Sequence, residues 1–120
     1  MAQPVVNRSK ILLGAHGERA VLEWYLSRGY VLIAQNWRTT IGEVDLIVTR
    51  SNCVVFCEVK TRQSTRHGSP FVAITPSKAR RLRQLVGVWL KEHREVRPRQ
   101  IRIDVAGVFN GDIEVRHGVV

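Results

Sequence analysis

The chain has 120 residues, 44% of them hydrophobic and 24% charged, which predicts one globular domain and excludes a disordered polypeptide. Its 19 Lys and Arg residues against 10 Asp and Glu residues give a net charge of +9, which favours an anionic partner, most often nucleic acid. Two cysteines within one predicted strand and an apolar run of only residues 11–13 predict a reduced, soluble cytoplasmic protein with no membrane span or signal peptide.

The positive charge is concentrated in one part of the chain. Residues 60–102 contain twelve basic residues and two acids, so that segment carries +10 and the remainder is nearly neutral. A ribosome-associated or membrane-surface protein fits such a charge as well as a nucleic-acid-binding protein does. Eight of the ten acids lie outside the basic segment, and the candidate site is built from them.

The first half of the chain predicts an arm, a helix and three strands. Residues 1–13 have no clear period and predict a weakly ordered arm, so that the single domain spans residues 14–120. Residues 16–28 predict a helix with its apolar stripe at Val21, Leu22, Trp24 and Tyr25. Strands are predicted at residues 30–36, 43–49 and 53–60, the last two joined by a tight turn, and residues 61–69 predict a loop.

The second half predicts one basic helix and a hairpin. Thr75 is suited to cap the helix and Pro76 to begin it. The apolar stripe comprises Ala79, Leu82, Leu85, Val86, Trp89 and Leu90. Residues 100–109 and 113–119 predict strands around the turn Asn110-Gly111. The predicted order is α-β-β-β-α-β-β.

Alternation along the second and third strands brings acidic side chains together. Glu43, Asp45 and Ile47 share one face of the second strand, opposite Val44, Leu46 and Val48. Phe56, Glu58 and Lys60 share one face of the third. If Thr49 pairs with Asn52, Glu43 lies across from Glu58; if Thr49 pairs with Val54, Asp45 faces Glu58 and Glu43 faces Lys60. In both registers the carboxylates lie within about 5–8 Å of each other.

Close carboxylates repel each other unless a cation neutralises them. A lysine serves that purpose, and so does Mg²⁺ or Mn²⁺, which binds one or two carboxylates together with waters and phosphate oxygens. Such an ion activates water for attack on a phosphodiester, and Lys60 would either position that water or stabilise charge on the phosphate. Glu18 lies on the apolar stripe of the first helix, and a buried carboxylate of that kind requires a partner.

Four segments resemble a known family. HGERA at residues 16–20, GEVDLI at 42–47, VFCEVKTR at 55–62 and RIDV at 102–105 resemble the YraN-like family of small bacterial proteins. That family is similar to archaeal Holliday-junction resolvases and so to the PD-(D/E)XK nuclease superfamily.

The resemblance implies an α/β fold of the restriction-endonuclease type, with an αβββαβ core and a mixed central sheet flanked by helices. It implies Mg²⁺- or Mn²⁺-dependent hydrolysis of DNA, with Asp45 and Glu58 as metal ligands. Lys60 would be the catalytic lysine, Glu18 the helix acid, and Glu43 a residue that tunes the site or contacts the substrate backbone. The preference for branched DNA and the homodimer come wholly from the resemblance. Val44 stands where the superfamily motif has Pro.

Each of these residues also has a structural interpretation. The acids of the second strand fit a solvated face with Lys60 as an ion-pair partner, and Glu18 fits an acid in the first turn of its helix. Asp104 is predicted to pair with Arg102 or a loop amide rather than with a metal. Trp24 and Trp89 are predicted core residues, while Trp37 is a candidate for base stacking. The candidate phosphate contacts are Arg62, Arg66, Lys78, Arg80, Arg81 and Arg83.

The sequence therefore supports two hypotheses of function and leaves a third open. The first is a metal-dependent endonuclease acting on DNA, with branched or otherwise structured DNA as the candidate substrate; RNA stays open because phosphate contacts do not distinguish the sugars. The second is a nucleic-acid-binding module that keeps the fold without cleaving. The third is an interaction protein with no role on nucleic acid.

Overall fold

The computed structural model describes residues 8–63, 69, 71 and 74–119, with side chains from residue 13 onward. The predicted arm at residues 1–7, and Arg66 with most of the predicted loop, lie outside the described residues. Within the described chain the elements are α1 (Arg8–Ser27), β1 (Val31–Thr39), β2 (Gly42–Arg50), β3 (Cys53–Arg62), α2 (Pro76–Glu92), β4 (Gln100–Phe109) and β5 (Asp112–Arg116). The predicted order of elements is confirmed.

The described strands form one mixed sheet with the order β1-β2-β3-β4-β5. All neighbours are antiparallel except β3 and β4, which are parallel and are connected through α2. The sheet lies between α1 on one face and α2 on the other, so the predicted mixed α/β architecture is confirmed.

Two hairpin turns set the register of the sheet. Ser51 and Asn52 have φ values of 50° and 63°, the left-handed pair that a tight two-residue turn requires. Arg50 therefore pairs with Cys53 and Thr49 with Val54, which is the second of the two registers predicted. The predicted turn at Asn110-Gly111 has the same character, with φ values of 48° and 85°.

Each helix covers its own hydrophobic core. The core beneath α1 contains Val21 and Tyr25 with strand residues Leu46, Val48, Val55 and Cys57. The core beneath α2 contains Leu82, Leu85, Val86 and Trp89 with Val44, Ile47, Val54, Phe56 and Ile103. Trp89 is thus confirmed as core, and Trp24 packs partly buried against the α1 core. Burying one large apolar side chain of this kind contributes about 1.5–3 kcal/mol.

The predicted face of Val44 in the second strand is wrong. Val44 was predicted to share a face with Leu46 and Val48, but it packs in the α2 core while they pack in the α1 core. The β2–β3 pairing ends at Leu46 and Cys57, so strict alternation is lost at Asp45. The break in alternation is therefore centred on a predicted site residue.

The predicted boundaries differ from the observed ones at several ends. α1 begins at Arg8 rather than His16, so residues 8–13 of the predicted arm are helical. β1 continues to Thr39 because Thr39 pairs with Gly42, and β3 includes Thr61 and Arg62, which were assigned to the loop. β5 ends at Arg116, three residues short of its predicted end. α2 begins as predicted, with the Thr75 hydroxyl accepting a hydrogen bond from the Lys78 N–H at 3.2 Å.

Both cysteines, Cys53 and Cys57, are buried and unpaired by a disulfide, as predicted. Among the helices of the described chain, none has the length and apolarity needed to cross a bilayer.

Candidate active site

Asp45 is the most deeply buried acid of the predicted constellation. It is 7% exposed, and its Oδ2 accepts a hydrogen bond from the backbone N–H of Val59 at 2.8 Å. Burial raises the pKa of Asp45 to about 7, opposed by the Val59 hydrogen bond and reinforced by the charges of Glu58, Glu18 and Glu43. The carboxyl group therefore lies among other carboxylates and is costly to ionise without a cation.

The side chain of Asp45 occupies a break in the sheet. Because backbone pairing between β2 and β3 ends at Leu46, the N–H of Val59 is bonded by a carboxylate oxygen rather than by a carbonyl. Asp45 is thus directed toward the β3 backbone, between the two faces of the sheet. This placement lets it interact with Glu18 of α1 and also line a cavity beside α2.

Glu58 and Lys60 lie on the same face of β3 and form an ion pair. Lys60 Nζ is 3.2 Å from Glu58 Oε1, and the two side chains are 22% and 18% exposed. Glu43 was predicted to face Lys60 in the observed register, but it pairs with Arg38 Nε at 2.7 Å. That prediction is wrong because β1 supplies the nearer cation, with Arg38 directly across from Glu43.

Glu18 reaches the same group of acids from α1. It is half-buried, and burial raises its pKa; the polar side chain of Asn36 opposes the shift, and the charges of Glu43 and Glu58 add to it. Since α1 begins at Arg8, Glu18 lies in the middle of the helix and not in its first turn. The alternative interpretation of Glu18 as a helix-dipole acid is therefore wrong.

A cavity of about 280 Å³ lies between the acids of β2 and β3 and helix α2. The sheet contributes Glu43, Asp45 and Glu58 to its lining, and α2 contributes Lys78 and Arg81. Lys60 lowers the pKa of Lys78, with burial adding to the effect, so the two ammonium groups lie close to each other. Carboxylates on one wall and cations on the opposite wall suit a metal-bound phosphate group.

The predicted phosphate contacts are divided among different surfaces. All four of the predicted contacts on α2 are exposed, but Lys78 and Arg81 line the carboxylate cavity and Arg80 and Arg83 do not. Arg62 lies at the end of β3 and borders a separate cavity of about 300 Å³ that is also lined by His16 and Gly17 of α1.

The donor set fits a hard divalent cation of the kind that keeps several waters. Asp45 and Glu58 offer carboxylate oxygens, which Mg²⁺ and Mn²⁺ prefer over nitrogen or sulfur. Within the part of the chain that the structure describes, no three His, Cys, Asp or Glu side chains are grouped tightly enough to enclose a metal ion. The site therefore fits an ion that is bound by two carboxylates and takes its remaining ligands from water or phosphate oxygens.

Asp104 has a structural role away from this cavity. It is fully buried, and its carboxylate accepts hydrogen bonds from Tyr25, Arg102 and the Gly118 N–H and contacts His117 Nδ1 at 2.8 Å. Burial raises its pKa, but the hydrogen bonds from Arg102, Tyr25 and His117 outweigh burial and hold the pKa below its usual range. The prediction that Asp104 pairs with Arg102 and a loop amide is confirmed.

Three consecutive residues of β1 contribute to the site region in ways that sequence reasoning missed or misassigned. Asn36 approaches Glu18, Trp37 packs against the α2 core, and Arg38 binds Glu43. Trp37 was a candidate for base stacking; its ring is half-buried and packs against the α2 core. The sequence did contain a signal for these roles. Asn36 and Arg38 are polar residues around Trp37 at the end of a strand that is otherwise rich in branched residues.

Fold and site together define an α/β protein with one mixed sheet and a carboxylate–lysine cavity beside a basic helix. Residues 17–108 match the model of the uncharacterised protein family UPF0102, and the chain belongs to that family. It is 46% identical over 98 residues to a UPF0102 protein of Leifsonia xyli, with 82% of each chain covered. It is 41% identical over 113 residues to a UPF0102 protein of Kineococcus radiotolerans, covering 92% of this chain and 93% of the relative. The predicted membership of the YraN-like family is thus confirmed.

Proposed function

We propose that this protein is a metal-dependent endonuclease that hydrolyses phosphodiester bonds of DNA, with branched or otherwise structured DNA as its substrate. The observation that carries the proposal is the cavity in which Asp45 and Glu58 lie opposite Lys78 and Arg81. The resemblance to Holliday-junction resolvases and the PD-(D/E)XK superfamily supports the reaction class and the branched substrate.

In this proposal Asp45 and Glu58 hold a Mg²⁺ or Mn²⁺ ion. When bound, the ion supplies Lewis-acid stabilisation of the phosphate and lowers the pKa of a coordinated water. The Val59 N–H binds Oδ2 of Asp45, and Asp45 lines the cavity, so Oδ1 is the oxygen that we assign to the metal. Lys60, already paired with Glu58, stabilises negative charge that develops on the phosphate, and Glu18 accepts a hydrogen bond from the attacking water.

Lys78 and Arg81 complete the proposed binding site for the scissile phosphate. Both extend from α2 toward a cavity whose opposite wall is acidic, so a phosphate held between them contacts cations on one side and the metal on the other. Close lysines such as Lys60 and Lys78 repel each other, and an anion placed between them relieves that repulsion. Arg80 and Arg83, exposed on the same helix, contribute contacts to more distant phosphates.

A second candidate function is a nucleic-acid-binding module that does not cleave. One observation favours it: no three metal-binding side chains are grouped in the described residues, so an ion would rest on two carboxylates and would bind weakly without substrate. The basic residues of α2 serve either function equally.

The test is cleavage of labelled four-way, flap and linear DNA in Mg²⁺ or Mn²⁺ by the wild type, Asp45→Asn and Lys60→Ala. We expect the wild type to cleave and both variants to bind DNA without cleaving it. If none of the three cleaves while all bind equally in a salt-dependent manner, the binding module is correct and the endonuclease is not. Absence of binding at low salt would overturn both functions.

Symmetric cleavage of a four-way junction requires two active sites. The unit proposed for that substrate is therefore a homodimer, and light scattering of the protein with and without junction DNA measures it. A 1:1 complex that cuts both strands in one binding event would contradict the dimer.

A further inference from the structure

A group of arginines lies at the end of the sheet opposite to the carboxylate cavity. The β2–β3 turn at residues 51–52 and the starts of β1 and β4 are at this end. The backbone N–H of Arg99 donates a hydrogen bond to the carbonyl of Asn52 in that turn at 3.0 Å. Four exposed arginines at this end form what we call the distal arginine patch: Arg28, Arg50, Arg97 and Arg99.

Two guanidinium groups of the patch are held in place by neutral groups. Arg28 lies over the ring of Trp24, 3.7 Å from its centroid, and its Nη1 donates a hydrogen bond to the Trp24 carbonyl at 3.1 Å. Arg50 lies 4.4 Å from the ring centroid of Tyr30, and its Nη1 donates a hydrogen bond to the Arg28 carbonyl at 2.6 Å. These contacts orient the two guanidinium planes without neutralising their charges.

The charge of the patch is not compensated by acids of the described chain. None of the ion pairs formed among the described residues includes an arginine of the patch. Arg102, which donates a hydrogen bond to the Tyr30 hydroxyl at the same end, differs because Asp104 neutralises it. Cations grouped without carboxylates repel one another, so an anion bound among them is stabilised.

The patch and the carboxylate cavity are separated in two ways. Asp45 and Arg50 are five residues apart along β2, which corresponds to about 17 Å of extended strand. Arg50 packs over Tyr30 of the α1 core, whereas the cavity lies between the sheet and α2. Surfaces at opposite ends and on opposite faces of the sheet suit two arms of a branched molecule rather than one straight duplex.

We infer that the distal arginine patch is a second nucleic-acid-binding surface, which contacts phosphates of a DNA arm other than the arm held at the carboxylate cavity. The inference rests on the proposed function, because it takes the cavity as the site of the first arm. Oriented guanidinium planes suit this role, because arginine binds phosphate oxygens through parallel N–H groups.

An anionic bilayer also presents phosphate groups, and Leu26 and Val31 are exposed at the same end of the molecule. Attachment to a bilayer depends on apolar and aromatic side chains that enter the lipid, or on a covalent anchor. Here the aromatic partners of the arginines face inward: Tyr30 is buried in the α1 core and Trp24 packs against it. The patch therefore favours nucleic acid, and vesicles serve as the second arm of the test.

The test measures affinity for four-way and linear DNA over a range of salt concentrations, without divalent cations, so that binding is observed without cleavage. Arg97→Gln/Arg99→Gln removes two exposed charges that form no ion pair within the part of the chain described. Thermal unfolding of the same samples shows that each variant is folded. Vesicles of phosphatidylglycerol and phosphatidylcholine replace DNA in a parallel series.

Arg50→Gln and Arg116→Gln form a matched pair of single variants. Both remove an exposed arginine that lies over an aromatic ring, since Arg116 is 3.8 Å from the ring centroid of Phe71. Arg116 lies outside the patch and pairs with Glu114. Only Arg50→Gln should therefore weaken the binding of four-way DNA.

We expect the wild type to bind four-way DNA more tightly than linear DNA, because only the branched molecule reaches both surfaces. Arg97→Gln/Arg99→Gln should lower the affinity for four-way DNA tenfold or more and reduce the slope of log affinity against log salt by about two. Arg50→Gln should reduce that slope by about one, and both variants should lose preference for the four-way molecule.

Four results would overturn the inference. These are a wild-type salt slope in the patch variants, an equal loss of affinity on linear and four-way DNA, and an equal effect of Arg116→Gln and Arg50→Gln. The fourth is vesicle binding that depends on the patch while DNA affinity does not, which would assign the patch to a membrane surface.

These outcomes are distinct from failure of the proposed function. If the patch variants lose affinity for four-way DNA but the wild type cleaves none of the DNA molecules in Mg²⁺ or Mn²⁺, the second binding surface stands and the endonuclease does not. If the wild type binds no DNA at low salt, both are overturned.

Discussion

The Oδ2 atom of Asp45 accepts a hydrogen bond from the backbone N–H of Val59 at 2.8 Å, at the position where β2 and β3 cease to pair through their backbones. A carboxylate thus takes the place of a carbonyl in the sheet. One consequence is that Asp45 is buried with one of its oxygens bound by the backbone of β3. Another is that the acids of α1, β2 and β3 interact at one end of the sheet.

Asp45→Asn should stabilise the protein at neutral pH in the absence of divalent cations. The folded-state pKa of about 7 lies above the ordinary value of an aspartate, so the folded state keeps a proton that the unfolded state loses. Stability therefore falls as pH rises from about 4 to about 7, and Asn removes that loss. Urea unfolding should show the variant about 4 kcal/mol more stable at pH 8 and close to the wild type below about pH 4.

The control for that experiment is Glu114→Gln, which neutralises an exposed acid on β5. It should follow the wild-type pH dependence closely. If the stability of Asp45→Asn depended on pH as the wild type does, burial would not penalise the ionised Asp45 carboxylate.

Cavity and surface cations on α2 should contribute differently to DNA cleavage. Lys78→Ala/Arg81→Ala and Arg80→Ala/Arg83→Ala each remove two positive charges, but only the first pair lines the carboxylate cavity. We expect each pair to reduce the slope of log affinity against log salt by up to about two. The first pair should also lower kcat by tenfold or more at saturating DNA, and the second should not. Equal kcat values in the two variants would contradict the assignment of the cavity.

Gly17→Ala should destabilise the fold through a contact between α1 and β3. A Cβ at Gly17 would collide with Oγ1 of Thr61 and lie 3.2 Å from its Cβ. Overpacking of this kind costs about 1–3 kcal/mol. Combining Thr61→Ala with Gly17→Ala should recover part of the lost free energy of unfolding, as measured with urea.

Gly14→Ala is the matched control, because the same helix leaves open space at Gly14. It should raise stability by up to about 1 kcal/mol, as expected for Gly to Ala within a helix. Equal destabilisation by both substitutions would argue against close packing of α1 on Thr61.

Asp104→Asn should destabilise the protein without affecting the candidate site. Removing one charge from the Arg102–Asp104 pair leaves a partly buried guanidinium without its carboxylate, at a cost of about 3 kcal/mol. Mn²⁺ affinity should remain at the wild-type level, since the network lies away from the carboxylate cavity. Weaker Mn²⁺ binding in folded Asp104→Asn would show that the two regions are coupled.

The same network should make the wild type sensitive to acid. The folded-state pKa of Asp104 is below its usual range, so its contribution to stability is complete above the ordinary aspartate pKa and is lost as pH falls through the folded value. Urea unfolding in the acidic range should show a steeper fall for the wild type than for Asp104→Asn. Tyr25→Phe, which removes one hydrogen bond from the network, should cost about 1 kcal/mol.

Several interactions were open to prediction because they depend on local sequence. The hairpin turn at Asn110-Gly111, the Thr75 cap and the buried stripe of α2 follow from turn chemistry, capping and helical periodicity. The pairing of Asp104 with Arg102 was also predicted, and the two residues lie two positions apart on one face of β4, whereas its partners Tyr25 and His117 were not predicted.

The pairing of Glu43 and the conformation of Asn36 were not predictable in the same way. Glu43 faces Arg38 across the β1–β2 hairpin, and no turn signal between them was recognised in the sequence. Asn36 adopts its left-handed conformation inside a strand, where the local pattern indicates only extended backbone.

The sequence by itself determined the order of the elements, the amphipathic faces of both helices and the identity of the acids and lysine that meet at the sheet. These follow from side-chain periodicity and turn residues, which act over a few positions of the chain. Only the tertiary structure decided that Lys60 pairs with Glu58, that Lys78 and Arg81 rather than Arg80 and Arg83 face the acids, and that Asp45 bonds to Val59. Those relationships depend on how α2 packs on the sheet and where strand pairing stops, which are set by contacts between residues distant in sequence.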